Sequence, residues 1–88
     1  MKKNKDKRLL ADEMEQTVLD RYFSTRSDDY IENLTTVKEL KTTEQIQDDL
    51  RPILRIEDRV IVDYMIKNDF KLVQHLDGSA VWELWRMQ

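Results

Sequence analysis

Apolar residues recur along this chain at two different spacings, and the change between them divides it into elements. Leu10, Met14, Val18 and Tyr22 follow one another at four-residue steps, with Leu19 and Phe23 beside the last two. That stripe predicts an amphipathic helix over about 9 to 23, with Asp12, Glu13 and Glu15 in the half where the helix dipole favours negative charge. The polar run Ser24–Asp28 reads as a break. Tyr30, Ile31, Leu34, Val37 and Leu40 again fit a period near 3.6, so a second helix is expected over Asp29–Leu40. Asp29 and Glu32 supply a capping box there, while the β-branched Thr35-Thr36-Val37 offers a short strand as the alternative.

A third helix has a sharper start. Thr42 stands three residues before Gln45, the spacing of a reciprocal capping box, and Ile46 and Leu50 form its apolar face. Pro52 ends it, because the residue before a proline is pushed out of the α region, and a helix of about 43 to 50 results. The segment 56 to 67 is apolar on nearly every side. Val60-Ile61-Val62 fits a buried strand locally, whereas Ile56, Val60 and Tyr64, with Ile61 and Met65 alongside, fit a helix over the longer window. The helix is the reading adopted, and it requires burial on more than one side or a partner.

From Phe70 onward the spacing changes to two. Phe70–Gln74 and Ala80–Leu84 flank Leu76-Asp77-Gly78. A three-residue loop pairs Phe70 with Leu84, Leu72 with Trp82 and Gln74 with Ala80, which makes one face largely apolar. On the other face Val73 meets Val81, and Lys71 meets Glu83 as an opposite-charge pair. Gly78, the one glycine of the chain, falls third in that loop, where a type I turn followed by a bulge needs a left-handed residue.

Composition narrows the chemistry. With 88 residues the size fits one domain, read here as 9–88 behind a disordered basic tail of residues 1–8. There is no cysteine, so a thiolate metal site and a cysteine nucleophile are excluded. The longest uninterrupted apolar stretches are three residues, such as Val60–Val62, too short for a membrane span, and a cytoplasmic protein without membrane contact is expected. Charge is uneven. Residues 1–8 carry five basic groups and one acidic, residues 9–50 four basic and eleven acidic, and residues 51–88 six of each. His75 is the one histidine, expected to face solvent beside the hairpin turn, and the acids at 12–15 and 48–49 read as solvated helix positions. No phosphate-cradling glycine loop is present, so no enzymatic activity and no cofactor are expected.

The order of these elements resembles a winged-helix domain. The residues that carry the resemblance are Thr43, Ile46 and Leu50, then Ile56, Val60, Tyr64 and Met65, then Phe70, Asp77-Gly78, Trp82 and Leu84, covering 42 to 86. The chain is also similar to winged-helix tail modules of primases and helicases of mobile elements, which open with a similar Leu-x-x-Tyr-Phe, here Leu19 to Phe23. The resemblance implies a mainly α fold with a C-terminal β-hairpin (α+β), in which the helix of residues 56–67 docks on its target and the hairpin is the wing. Two departures stand out: Asn68-Asp69 occupies the place of the usual glycine before the first wing strand, and the docking helix is not basic.

Two function classes follow. The first is a small DNA-associated regulator or adaptor that contacts double-stranded DNA through Arg51, Arg55, Arg59, Lys67 and Lys71. The arginines recur every four residues and would line one face if the turn and the following helix were continuous. Glu57, Asp58 and Asp63 interleave with them, and Arg51 and Arg59 can instead pair with Asp48 and Asp63. The second is a protein-interaction module, with a homodimer as the first guess, working through Val73, Val81 and Trp85 on the hairpin face away from the core.

Overall fold

The computed structural model describes residues 10–32 and 35–87; the expected tail, residues 1–8, lies outside them. Among these described residues, three α-helices and a four-stranded antiparallel sheet make an α+β architecture. Helix α1 is Glu13–Tyr22, followed by a 3₁₀ turn, Phe23–Thr25, and a two-residue strand β1, Arg26–Ser27. Strand β2 is Thr36–Lys41, α2 is Thr43–Leu50, α3 is Asp58–Lys67, β3 is Lys71–Gln74 and β4 is Ala80–Met87.

Helix α1 starts later than its apolar stripe suggests. Asp12 has extended backbone and caps the helix: its carboxylate accepts the Glu15 amide at 2.8 Å, and its own amide donates to the Glu15 carboxylate at 3.0 Å. Leu10 stays outside, its amide donating to the Asp63 carboxylate on α3. The first half of the stripe therefore misses the core, and Met14 is 65% exposed, while Leu19 and Phe23 are buried.

The expected helix over Asp29–Leu40 does not form. Its second half is β2, which pairs with β4 from Thr36↔Met87 to Lys41↔Trp82. The β-branched Thr36 and Val37 suit a pleated strand, and a full ladder on β4 overrides a weak helical period. Tyr30, Val37 and Leu40, read as one apolar helix face, are all exposed.

Helices α2 and α3 follow the sequence closely. Thr42 and Gln45 form the reciprocal capping box, at 3.0 and 2.9 Å, and Ile46 and Leu50 are buried. The Gln47 side chain donates to the Ile56 carbonyl at 2.7 Å, which pins the connection to α3. Val60, Ile61, Tyr64 and Met65 bury one side of α3, and the Tyr64 hydroxyl donates to Asp20 of α1 at 2.7 Å. Ile66 remains 61% exposed, so α3 is not covered on every side. The helix ends in a Schellman pattern: the Phe70 amide donates to Met65 and the Asp69 amide to Ile66. Asp69 takes the left-handed position at φ 65°.

The hairpin has the expected register, with Lys71↔Glu83, Leu72↔Trp82, Val73↔Val81 and Gln74↔Ala80. His75 and Ser79 close it, and Gly78 holds φ 91° at the third loop position. Strand β4 is the middle of the sheet, with β2 along one edge and β3 and β1 end to end along the other. Its inner face sends Trp82 and Leu84 into a single core with Leu19, Ile46, Leu50, Ile56, Ile61 and Met65. The Trp82 indole donates to the Thr43 hydroxyl at 2.9 Å, so the first turn of α2 satisfies the buried N–H.

The two left-handed positions give opposite expectations. Asp69→Gly relieves the backbone at φ 65° and raises stability by about 0.5–1 kcal/mol. Gly78→Ala meets nothing within 4 Å yet costs about 1 kcal/mol through its backbone alone. Thermal unfolding followed by circular dichroism should place the two variants on opposite sides of the parent, by roughly 4–8 °C per kcal/mol.

Candidate functional site

The three arginines expected to share one helical face do not. Arg51 caps the end of α2, residues 51–53 form a turn, residues 54–57 are irregular, and Arg59 lies in the first turn of α3. The condition for one face, a continuous helix through 51–59, fails at the irregular residues 54–57. The displacement expected before Pro52 does not occur: Arg51 keeps helical backbone at φ −53° and ψ −39°, and the Leu54 amide still donates to the Leu50 carbonyl at 2.9 Å, holding one more turn. Arg51 pairs with Asp48 at 2.9 Å, as the spacing allows. Arg59 pairs with Glu57 at 3.1 Å and not with Asp63, which is held by Lys67 at 3.2 Å and by the Leu10 amide at 2.9 Å. The Arg51 and Arg59 pairs are exposed and contribute about 0–1 kcal/mol each, enough to offset charge without rigidly fixing the side chains.

Lys71 faces Glu83 across the strands as expected. The carboxylate nevertheless pairs with Lys38 of β2 at 3.2 Å, since β4 has a second neighbour on its other edge. Arg55 and Lys71 are exposed and make no ion pair among the described residues. Arg59 and Lys67 stand eight residues apart on α3, about 12 Å along its axis. Between and beside them lie Asp58, Asp63, the exposed Ile66 and Asp69. The five cations thus belong to separate stretches of α2, its connection to α3, α3 itself and β3, with acids between them.

Val73, Val81 and Trp85 do share the sheet face opposite Trp82 and Leu84, yet they are not an open patch. Val81 is only 6% exposed and Val73 is half-buried. Trp85 is half-buried beneath the Tyr30 ring, edge to face with centroids 5.6 Å apart, and the Lys38 ammonium lies 5.7 Å from its ring centre. Tyr30 and Lys38, which the helical reading of 29–40 had placed elsewhere, are the residues that lie against Trp85 on this face. The Trp85 indole N–H and the Thr36 hydroxyl are buried on this face without a hydrogen-bond partner.

A polar network that the sequence reading missed joins α1, α2 and the sheet. The Tyr22 hydroxyl donates to Asp49 at 2.6 Å, and the Lys41 ammonium donates to the same carboxylate oxygen at 2.7 Å. Arg26 donates to Glu39 at 2.9 Å and to the Tyr22 carbonyl at 3.0 Å, with its guanidinium 4.1 Å from the centre of the Tyr22 ring. Arg86 reaches the other Glu39 oxygen at 3.4 Å. Burial raises the Tyr22 hydroxyl above its ordinary pKa, and the hydrogen bond to Asp49 adds to that. Burial also pushes the Asp49 carboxyl up, but the bonds from Lys41 and Tyr22 outweigh it and hold it below its ordinary value. Asp49 is therefore a tie between elements, not the freely solvated acid its helix position suggested. No local spacing signals this, because Tyr22, Lys41 and Asp49 meet only once β2 has formed.

His75 is exposed, 3.8 Å from Asp77. Among the described residues, no group of three or more histidine, aspartate or glutamate side chains could hold a metal ion, and no helix is long and apolar enough to cross a membrane. No family model, no curated protein and no solved structure matches the chain.

Asp49→Asn keeps the shape of the tie and removes its charge. It should lower stability by about 1 kcal/mol at neutral pH, a modest figure because the carboxylate is partly exposed. The depressed carboxyl contributes fully above its unfolded value of 3.8 and loses that contribution as pH falls through the folded value. Urea denaturation at pH 7 and pH 3 should therefore show the gap between parent and variant closing in acid.

Proposed function

We propose that this chain is a winged-helix-like binding module that performs no chemistry and works by contact with another protein. Two features support the winged-helix reading. Apart from the two-residue β1, helix, strand, two helices and a hairpin follow in that order, and the hairpin's second strand lies between its first and the strand that precedes α2. The observation that carries protein contact is the state of α3 and its surroundings. The helix that would face a duplex exposes Ile66 and balances Arg59 and Lys67 against Asp58 and Asp63, with Asp69 just beyond its end, and two of the three candidate arginines are already paired with acids. A surface of that kind offers a phosphate backbone no net positive charge to grip. A cytoplasmic setting and a partner that is either a second copy or another protein belong to the same proposal.

A second reading, contact with double-stranded DNA, rests on Arg55 and Lys71, both exposed without an ion pair among the described residues. Fluorescence anisotropy of a labelled mixed-sequence duplex, titrated across salt, separates the two. The full chain and a truncation lacking residues 1–8 are compared. Protein contact predicts no salt-sensitive binding that survives the truncation. Binding in the micromolar range typical of phosphate contact, retained by the truncation and abolished by Arg55→Glu with Lys71→Glu, would replace this reading with the second.

A further inference from the structure

A recess of about 140 Å³ lies between α1 and the end of α2, lined by Thr17, Val18, Arg21, Tyr22, Leu50 and Ile53. We propose that it receives an apolar side chain presented next to a carboxylate on an acidic segment of a partner protein. The inference rests on the protein-contact reading and gives that partner a chemistry.

Size and lining come first. An apolar cavity of about 150 Å³ holds a benzene molecule, so this recess suits one leucine or phenylalanine side chain. Its polar side chains other than Arg21 are already bonded. The Thr17 hydroxyl donates to the Glu13 carbonyl at 3.0 Å, and the Tyr22 hydroxyl donates to Asp49 at 2.6 Å. What remains for an occupant is apolar surface: Val18, the ring of Tyr22, Leu50, and Ile53, which is 68% exposed. Ile53 sits just past Pro52 and extends the Ile46–Leu50 stripe of α2 by one more position, but unlike those two it is left uncovered by the other described residues.

Charge then selects the occupant. Arg21 is the one charged residue of the lining, is exposed, and makes no ion pair among the described residues. The two carboxylates in the last turn of α2 do not compensate it: Asp48 is paired with Arg51, and Asp49 is bonded by Lys41 and Tyr22. An unpaired guanidinium at an apolar recess favours a carboxylate adjacent to the inserted group and disfavours a cation there. The wall is also held in place beforehand. Tyr22 is fixed by Asp49 at its hydroxyl and by Arg26 over its ring, so docking does not have to order it.

The test is an NMR titration of the full chain with a short helical peptide of leucine, phenylalanine and glutamate. Its counterparts carry lysine for glutamate or alanine for the large apolar residues. The expected result is a set of amide shifts centred on Thr17, Val18, Leu50 and Ile53 with the acidic peptide, and binding about tenfold weaker with either counterpart. Arg21→Glu should reverse the preference between the acidic and the lysine peptide, and Arg21→Gln should abolish it. Ile53→Ser should weaken the acidic peptide while leaving the thermal midpoint unchanged, since the side chain is exposed. An unchanged preference in Arg21→Glu overturns the proposal. So do recess shifts that grow with protein concentration alone, which would assign the site to a second copy. Acidic-peptide shifts confined to α3 and the hairpin overturn the recess and leave the protein-contact reading standing. No shifts with any peptide, combined with duplex binding by the truncated chain, overturn both.

Discussion

Strand β4 is the constraint on which the rest of this molecule depends. Eight residues long, it is bonded along one edge to β2 and along the other to β3 and β1 in succession. Parts of the chain separated by some sixty residues are thereby brought to one ladder. Its alternation then assigns every neighbouring side chain to a face. Trp82 and Leu84 enter the helical core, while Val81 and Trp85 go to the opposite side. Because the Trp82 indole is bonded to Thr43, the sheet is also tied to the first turn of α2.

Much of this was legible in the sequence wherever the determining contacts are local. The Thr42–Gln45 box identified α2 because both partners lie within one turn. The hairpin register followed from the requirement that Leu72 meet Trp82 while Gly78 takes the left-handed place. The type of α3 followed from a repeat long enough to outweigh three β-branched residues. Strand β2 was not legible as the leading reading. Its apolar spacing mimics a helix, and the ladder that decides otherwise comes from residues more than forty positions later. The missed strand then misplaced Tyr30 and Lys38, and with them the contacts that Trp85 makes.

The same dependence explains why the candidate interface changed. The arginine series is periodic in sequence, but the irregular stretch 54–57 interrupts the backbone that would have aligned it, and neighbouring acids pair with two of its members. The alternative recess is not periodic at all. It arises where the last turns of α1 and α2 approach, and its wall is stiffened by the Lys41–Asp49–Tyr22 and Arg26–Glu39 contacts, three of whose members come from β2 and the last turn of α2. Lys41 and Glu39 reach Asp49 and Arg26 only from a strand.

The most direct test of this account is therefore the conformation of residues 36–41 in solution. Proton NOE spectra should connect Glu39 with Leu84 and Leu40 with Glu83 across the ladder, with strand-like chemical shifts over the segment. Helical sequential contacts between residues three apart over 36–41, with no contact to β4, would contradict it. They would remove the support for the Tyr22 wall at the same time.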